Sequence, residues 1–108
     1  MANTNSSNDG QQAAKSILQQ LGGNKFIVMT GARNFAALGN IMQFRLPQRF
    51  ALAGINLVTV KLTGADLYDM EFFKQTSKTL ASIAKHEGLY ADMLQSTFTD
   101  VTGLHTRL

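Results

Sequence analysis

The chain has 108 residues, of which 44% are hydrophobic, 8% aromatic and 16% charged, with one Pro, no Cys, no Trp and a formal net charge of +3. This composition fits one small domain with a single core and excludes a disulfide framework, a thiolate nucleophile and a thiolate metal site. No run of about 18 apolar residues occurs, so no membrane-spanning helix is expected, and the polar start MANTNSSNDG does not read as a secretory signal.

Residues 1–9 are small and polar after Met1 and are expected to form a disordered lead-in, because ordering them loses entropy without burying apolar surface. A single α+β domain is expected over 10–108. Asp9 is placed to cap a helix over 10–21, in which Ala14, Ile17, Leu18 and Leu21 recur on one helical stripe. Gly22, Gly23 and Asn24 end it.

Lys25 to Met29 is rich in β-branched and aromatic residues and is read as a strand, with Phe26 and Val28 facing the core and Lys25, Ile27 and Met29 facing away. Residues 30–40, with Gly31, Asn34 and Gly39 around a short apolar patch, read as a long loop holding a helical turn. Ile41 to Leu46 alternates, with Met42, Phe44 and Leu46 opposed to Ile41, Gln43 and Arg45, until Pro47 ends the strand. Residues 56–62 alternate through Val58, Val60 and Leu62, with Leu57, Thr59 and Lys61 on the other face. Tyr68, Met70 and Phe72 form a further stripe opposite Asp69 and Glu71.

Residues 76–88 are open between helix and strand. Thr76 or Ser77 is a possible helix cap and Leu80, Ile83 and Ala84 share a helical stripe, yet 79–85 also fit a strand turning back on 68–73. A last helix is expected over 89–102, with Tyr90, Met93, Leu94, Phe98 and Val101 on one face and Gly103 as its stop. The fold class is therefore α+β: an antiparallel sheet of four or five strands flanked by an N-terminal and a C-terminal helix. Its expected core joins Ile17, Leu18, Leu21, Met93, Leu94 and Phe98 to Phe26, Val28, Phe44, Val58, Val60, Met70 and Phe72.

The strings LGGNKFIVMTGARNF (21–35), FRLP (44–47), GINLVTVKLTGADLYDMEF (54–72) and GLYADMLQSTFTDVTGLHTRL (88–108) resemble a group of small uncharacterised bacteriophage and mobile-element proteins. The similarity covers nearly all of residues 15–108. It implies a genomic setting, with the cytoplasm of an infected or host bacterial cell as the expected location, and favours a strand at 79–85. It carries over no functional residue.

The chemistry of the chain points away from catalysis. His86 and Glu87 resemble the start of an H-E-x-x-H zinc helix, but Tyr90 stands where the second His belongs, and His105 is the only other histidine. No metal and no cofactor is expected. No Ser or Thr lies in a recognisable nucleophile turn. Asp69 and Glu71 share one strand face, where pairing with Arg45 or Lys61 is the expected role. Gly22 and Gly23 lie between a helix and the expected strand, the reverse of the order that aims amides at a phosphate, and 30–39 lacks the lysine and spacing of a P-loop. The chain is therefore expected not to be an enzyme.

Charge is distributed unevenly: residues 1–61 hold Lys15, Lys25, Arg33, Arg45, Arg49 and Lys61 against Asp9 alone, whereas residues 62–108 are net acidic. Two binding surfaces follow. Lys25, Arg33, Arg45, Arg49 and Lys61 are expected on one side of the sheet, where they fit a nucleic-acid backbone. Ile27, Met29, Ile41 and Leu57 are more apolar than a solvated sheet face needs, and they fit a protein partner or a second copy. The expected function is a non-enzymatic phage accessory protein that binds a protein, a host factor or defence component, or itself, with nucleic-acid binding as the alternative.

Overall fold

The computed structural model describes residues 4–47, 50–64 and 66–106. Helix α1 (Thr4–Leu21) is followed by the short helix α2 (Asn24–Thr30), then strands β1 (Arg33–Leu38), β2 (Ile41–Arg45), β3 (Leu57–Leu62), β4 (Tyr68–Gln75) and β5 (Leu80–Leu89), and finally helix α3 (Leu94–Thr102). The strands form one antiparallel sheet in the order β1-β2-β3-β4-β5. An α+β fold with an antiparallel sheet and helices at both ends of the chain is as expected, and the sheet has five strands.

Four segments differ from the expectation, three of them before residue 40 and one at 89–93. α1 takes in residues 4–9 and starts ahead of the Asp9 cap, because a nucleated helix gains one hydrogen bond for each residue it adds; residues 1–3 lie outside the described residues. The expected strand at 25–29 is α2. Phe26 and Thr30, four apart, are buried, while Val28 is 80% exposed, so burial follows a helical period through a run whose composition favours strand. Residues 33–38 form β1 instead of a loop: Leu38 pairs with Ile41 across a two-residue Gly39–Asn40 turn, with Gly39 at a φ of 61° that a hairpin of this length requires. Gly-Asn between two apolar runs is itself a hairpin signal.

The open segment at 76–88 is resolved as strand. Thr76 Oγ1 accepts hydrogen bonds from Lys78 N at 3.3 Å and Thr79 N at 3.0 Å. A hydroxyl accepting from the amide three residues on makes a helix N-cap or a serine/threonine turn equally well, and here it makes the turn between β4 and β5. Leu89 accordingly ends β5. After a 3-10 turn at Ala91–Met93, α3 begins at Leu94 rather than 89, which leaves Tyr90 and Met93 exposed.

One core holds the fold. Ile17 and Leu21 of α1, Phe26 of α2 and Leu94 and Phe98 of α3 pack on Met42, Phe44, Val58, Val60, Met70 and Phe72 from the sheet. Of the expected core residues, Leu18 is only partly buried, and Val28 and Met93 face solvent. At the centre the Phe26 and Phe98 rings meet edge to face at 5.1 Å, and Phe26 makes the same contact with Phe44 at 5.4 Å. Such pairs add about 0.5–1.5 kcal/mol to the burial of the rings.

The two helices that carry these rings end alike. In α2, Thr30 Oγ1 donates to Phe26 O at 2.7 Å and accepts from Ala32 N at 3.1 Å, with Gly31 as the left-handed cap. In α3, Thr102 Oγ1 donates to Phe98 O at 2.7 Å and accepts from Leu104 N at 3.1 Å, with Gly103 as the cap. The string F-x-x-x-T-G thus occurs at 26–31 and again at 98–103, each time turning the chain back beside its own phenylalanine. At Gly31 a side chain is excluded twice over, by a φ of 73° and by Pro47, whose Cγ would lie 2.7 Å from an added Cβ.

Two predictions follow from this packing. Phe98→Ala is expected to cost about 3–5 kcal/mol in urea denaturation, whereas Val28→Ser, on the solvent side of α2, is expected to change stability by less than about 0.5 kcal/mol. Equal losses at the two positions would return residues 25–29 to a strand buried on one face. Thr30→Val and Thr102→Val keep the side-chain shape but leave a buried amide at Ala32 and a part-buried one at Leu104 without a partner, so each is expected to cost about 1–3 kcal/mol by the same measurement.

Candidate functional site

Because α1, α2 and α3 all contribute to one core on one side of the sheet, the other side carries no helix among the described residues. The strand registers define what it displays. Across the sheet from β1 to β5, one row is Arg33, Arg45, Leu57, Phe73 and Ser82; the next is Ala36, Gln43, Thr59, Glu71 and Lys85; the third is Leu38, Ile41, Lys61 and Asp69. The face is mixed rather than apolar.

The predicted basic surface is only partly assembled. Arg33 and Arg45 are directly opposite each other on β1 and β2. Lys61 is on the same face but two rows away along the strands, and it sits between Ile41 and Asp69. Lys25 is on α2, not on the sheet, because its segment is helical. Arg49 lies outside the described residues. The acidic side chains of β4 are held by other groups than the cations expected for them. Asp69 Oδ1 accepts from Gly88 N at 3.0 Å, and Glu71 Oε2 accepts from the Ser82 hydroxyl at 2.7 Å. The ion pair among the described residues is Lys85 Nζ with Glu87 Oε2 at 3.4 Å.

The predicted apolar surface is also divided. Ile27 and Met29 belong to α2, with Ile27 packed against the core, so they do not share a face with Ile41 and Leu57. Ile41 and Leu57 do lie on the open sheet face, on adjacent strands. Leu57 is nonetheless only 5% exposed within the chain, while Leu38 beside Ile41 is 65% exposed. The most exposed apolar residue of this face is therefore Leu38, at the β1–β2 end, a placement that depends on β1 being a strand.

Both sheet edges are open among the described residues. β1 is exposed along its whole length and carries one register shift, between Arg33 and Ala36, where Asn34 has a φ of 57°. β5 is exposed from Leu80 to Gly88 apart from a half-buried Ala84, and it carries two register shifts against β4. Unpaired strand edges offer rows of amides and carbonyls to another chain. Among the described residues no group of three or more His, Cys, Asp or Glu side chains is placed to hold a metal ion. No helix among them is long and apolar enough to cross a membrane.

Comparison with protein-family models, with curated proteins and with solved structures gives no match to this chain. The reading of the site therefore rests on its own geometry.

Directly opposed like charges cost a sheet stability, so Arg33→Glu, which sets an opposite charge beside Arg45, is expected to stabilise the fold by about 0.2–1 kcal/mol at low salt. The gain should vanish in concentrated salt, as screening removes it. Thermal melts at two ionic strengths read both effects, and a loss at low salt would mean that Arg33 already has an anionic neighbour.

Proposed function

We propose that this chain is a non-enzymatic binding protein that works through protein–protein contact, by self-association or by docking on another protein. The observation that carries this reading is the one-sided architecture: every helix serves the core, while among the described residues nothing covers a mixed sheet face and two strand edges. Strand edges recognise extended chains by backbone hydrogen bonds, and neighbouring side chains then select the partner. The resemblance to small phage and mobile-element proteins supports a partner inside a bacterial cell, a host factor or defence component.

A second reading is favoured by one specific feature. Arg33 opposite Arg45 is a local concentration of positive charge on an exposed face, and a nucleic-acid backbone is a ligand of matching charge. Two adjacent arginines are a smaller footprint than the five-cation side expected, and Asp69 and Glu71 share the same face.

The two readings separate by size-exclusion chromatography with light scattering, on the protein alone and then with short single- and double-stranded nucleic acid at low and moderate salt. The expected result is an assembly of the protein alone and no nucleic-acid shift. A complex that weakens steeply with salt, and that is lost when Arg33 and Arg45 are both changed to Glu, would overturn the first reading in favour of the second.

A further inference from the structure

The two edges of the sheet are not equivalent. β1 carries one cation, Arg33 at its first residue, and no anion, so no register of a second β1 there sets opposite charges against each other. β5 carries Lys85 and Glu87, two residues apart and 3.4 Å from each other, with His86 between them. Charges on an edge strand ordinarily discourage pairing. Here their order has the opposite effect on one particular partner.

In an antiparallel pair, residues directly opposite share a face, so a second β5 adding about a two-fold axis must place residues of the same face against each other. Centring the axis on Lys85 sets Lys85 against Lys85, and centring it on Glu87 sets Glu87 against Glu87. Centring it on His86 sets Lys85 of each copy against Glu87 of the other, so that both charges exchange their neighbour on the same strand for one across the strands. Charge thus selects one register and one partner. Between the two register shifts of β5, residues 84–86 keep regular pairing with Phe72 to Met70 on β4, so Lys85 and the axis residue His86 lie on the regular part of the edge, and Glu87 lies at the second shift.

We propose that β5 is a self-docking edge, on which a second copy of this chain adds antiparallel about a two-fold axis at His86 and joins the two sheets into one. The proposal rests on the protein–protein reading above and deepens it by naming the partner and the surface. The paired stretch is short and the exposed ion pairs are weak, so the dimer forms in a concentration-dependent equilibrium.

Three measurements test it. Light scattering on the wild-type chain from micromolar to millimolar concentration should show a monomer–dimer equilibrium. Lys85→Glu alone and Glu87→Lys alone should each weaken it by about tenfold or more, and the combined exchange Lys85→Glu with Glu87→Lys should restore it, since the opposite-charge pairs re-form. Both side chains are more than half exposed, so the variants should fold, as far-UV circular dichroism will show.

The chain has no cysteine, which makes a covalent test clean. Directly opposed antiparallel residues have Cα atoms about 4.5–5.5 Å apart, within disulfide reach. His86→Cys should therefore oxidise to a covalent dimer, while Lys78→Cys, in the turn before β5, should not do so under the same conditions. A dimer that ignores the charge changes and gives no cross-link at residue 86 overturns the β5 assignment but leaves self-association standing. A monomer at every concentration overturns both the β5 assignment and self-association.

Discussion

The edge-to-face contact of Phe26 with Phe98 is the interaction on which the rest of the molecule depends. It joins residues far apart in the chain, one on each of two short helices, and seats both against Phe44 of β2. Neither helix is long enough to be stable alone, since helices of one or two turns gain too few hydrogen bonds to offset nucleation. Each is closed by the same device, a threonine that donates back to the phenylalanine carbonyl and accepts from the amide beyond the glycine. The backbone at both C-termini is thereby satisfied inside the protein, where an unpaired amide is costly. Two copies of one local motif thus carry the two rings that close the core.

That arrangement decides where the helices are, and hence what remains for binding. With α1 packed across β1, β2 and β3 and touching α3, the buried apolar residues of the helices are committed to one side of the sheet. Gln95 reinforces the assembly by donating to Gln20 O at 3.1 Å and accepting from Thr106 at 3.0 Å, which ties the C-terminal segment to the end of α1. The opposite side is left with short rows of mixed character, and among the described residues the two edges are left with unpaired backbone groups. A scaffold of this kind suits the protein–protein function proposed for it.

Much of the sheet was legible because its strands obey a period of two. Met42 and Phe44, Val58 and Val60, and Tyr68, Met70 and Phe72 are buried in alternation, and their polar neighbours point outward as expected. The candidate site was less legible. Its residues were assigned to a common face on the assumption that 25–29 is a strand, and once that segment is α2, Lys25, Ile27 and Met29 leave the face together. Arg33 was expected on a loop and enters the sheet instead, opposite Arg45, because residues 33–38 pair with β2. Two signals in the sequence would have found these errors: the Gly39–Asn40 hairpin and the repeated F-x-x-x-T-G.

What the sequence determined by itself is the material whose structure is set by near neighbours: the α+β class, the alternating strands β2, β3 and β4, and the helical stripe of Ile17, Leu18 and Leu21. What only the tertiary structure decided is everything that turns on a distant partner. Residues 25–29 favour strand by composition and 76–88 fit helix and strand alike, and in both the outcome is set by what they pack against. Phe26 finds Phe98 and Phe44, whereas Ala84 and His86 find the free edge of β4. The physical reason is that an apolar run of five to ten residues gains little from its own backbone in either form, so long-range burial and strand pairing outweigh its local propensity.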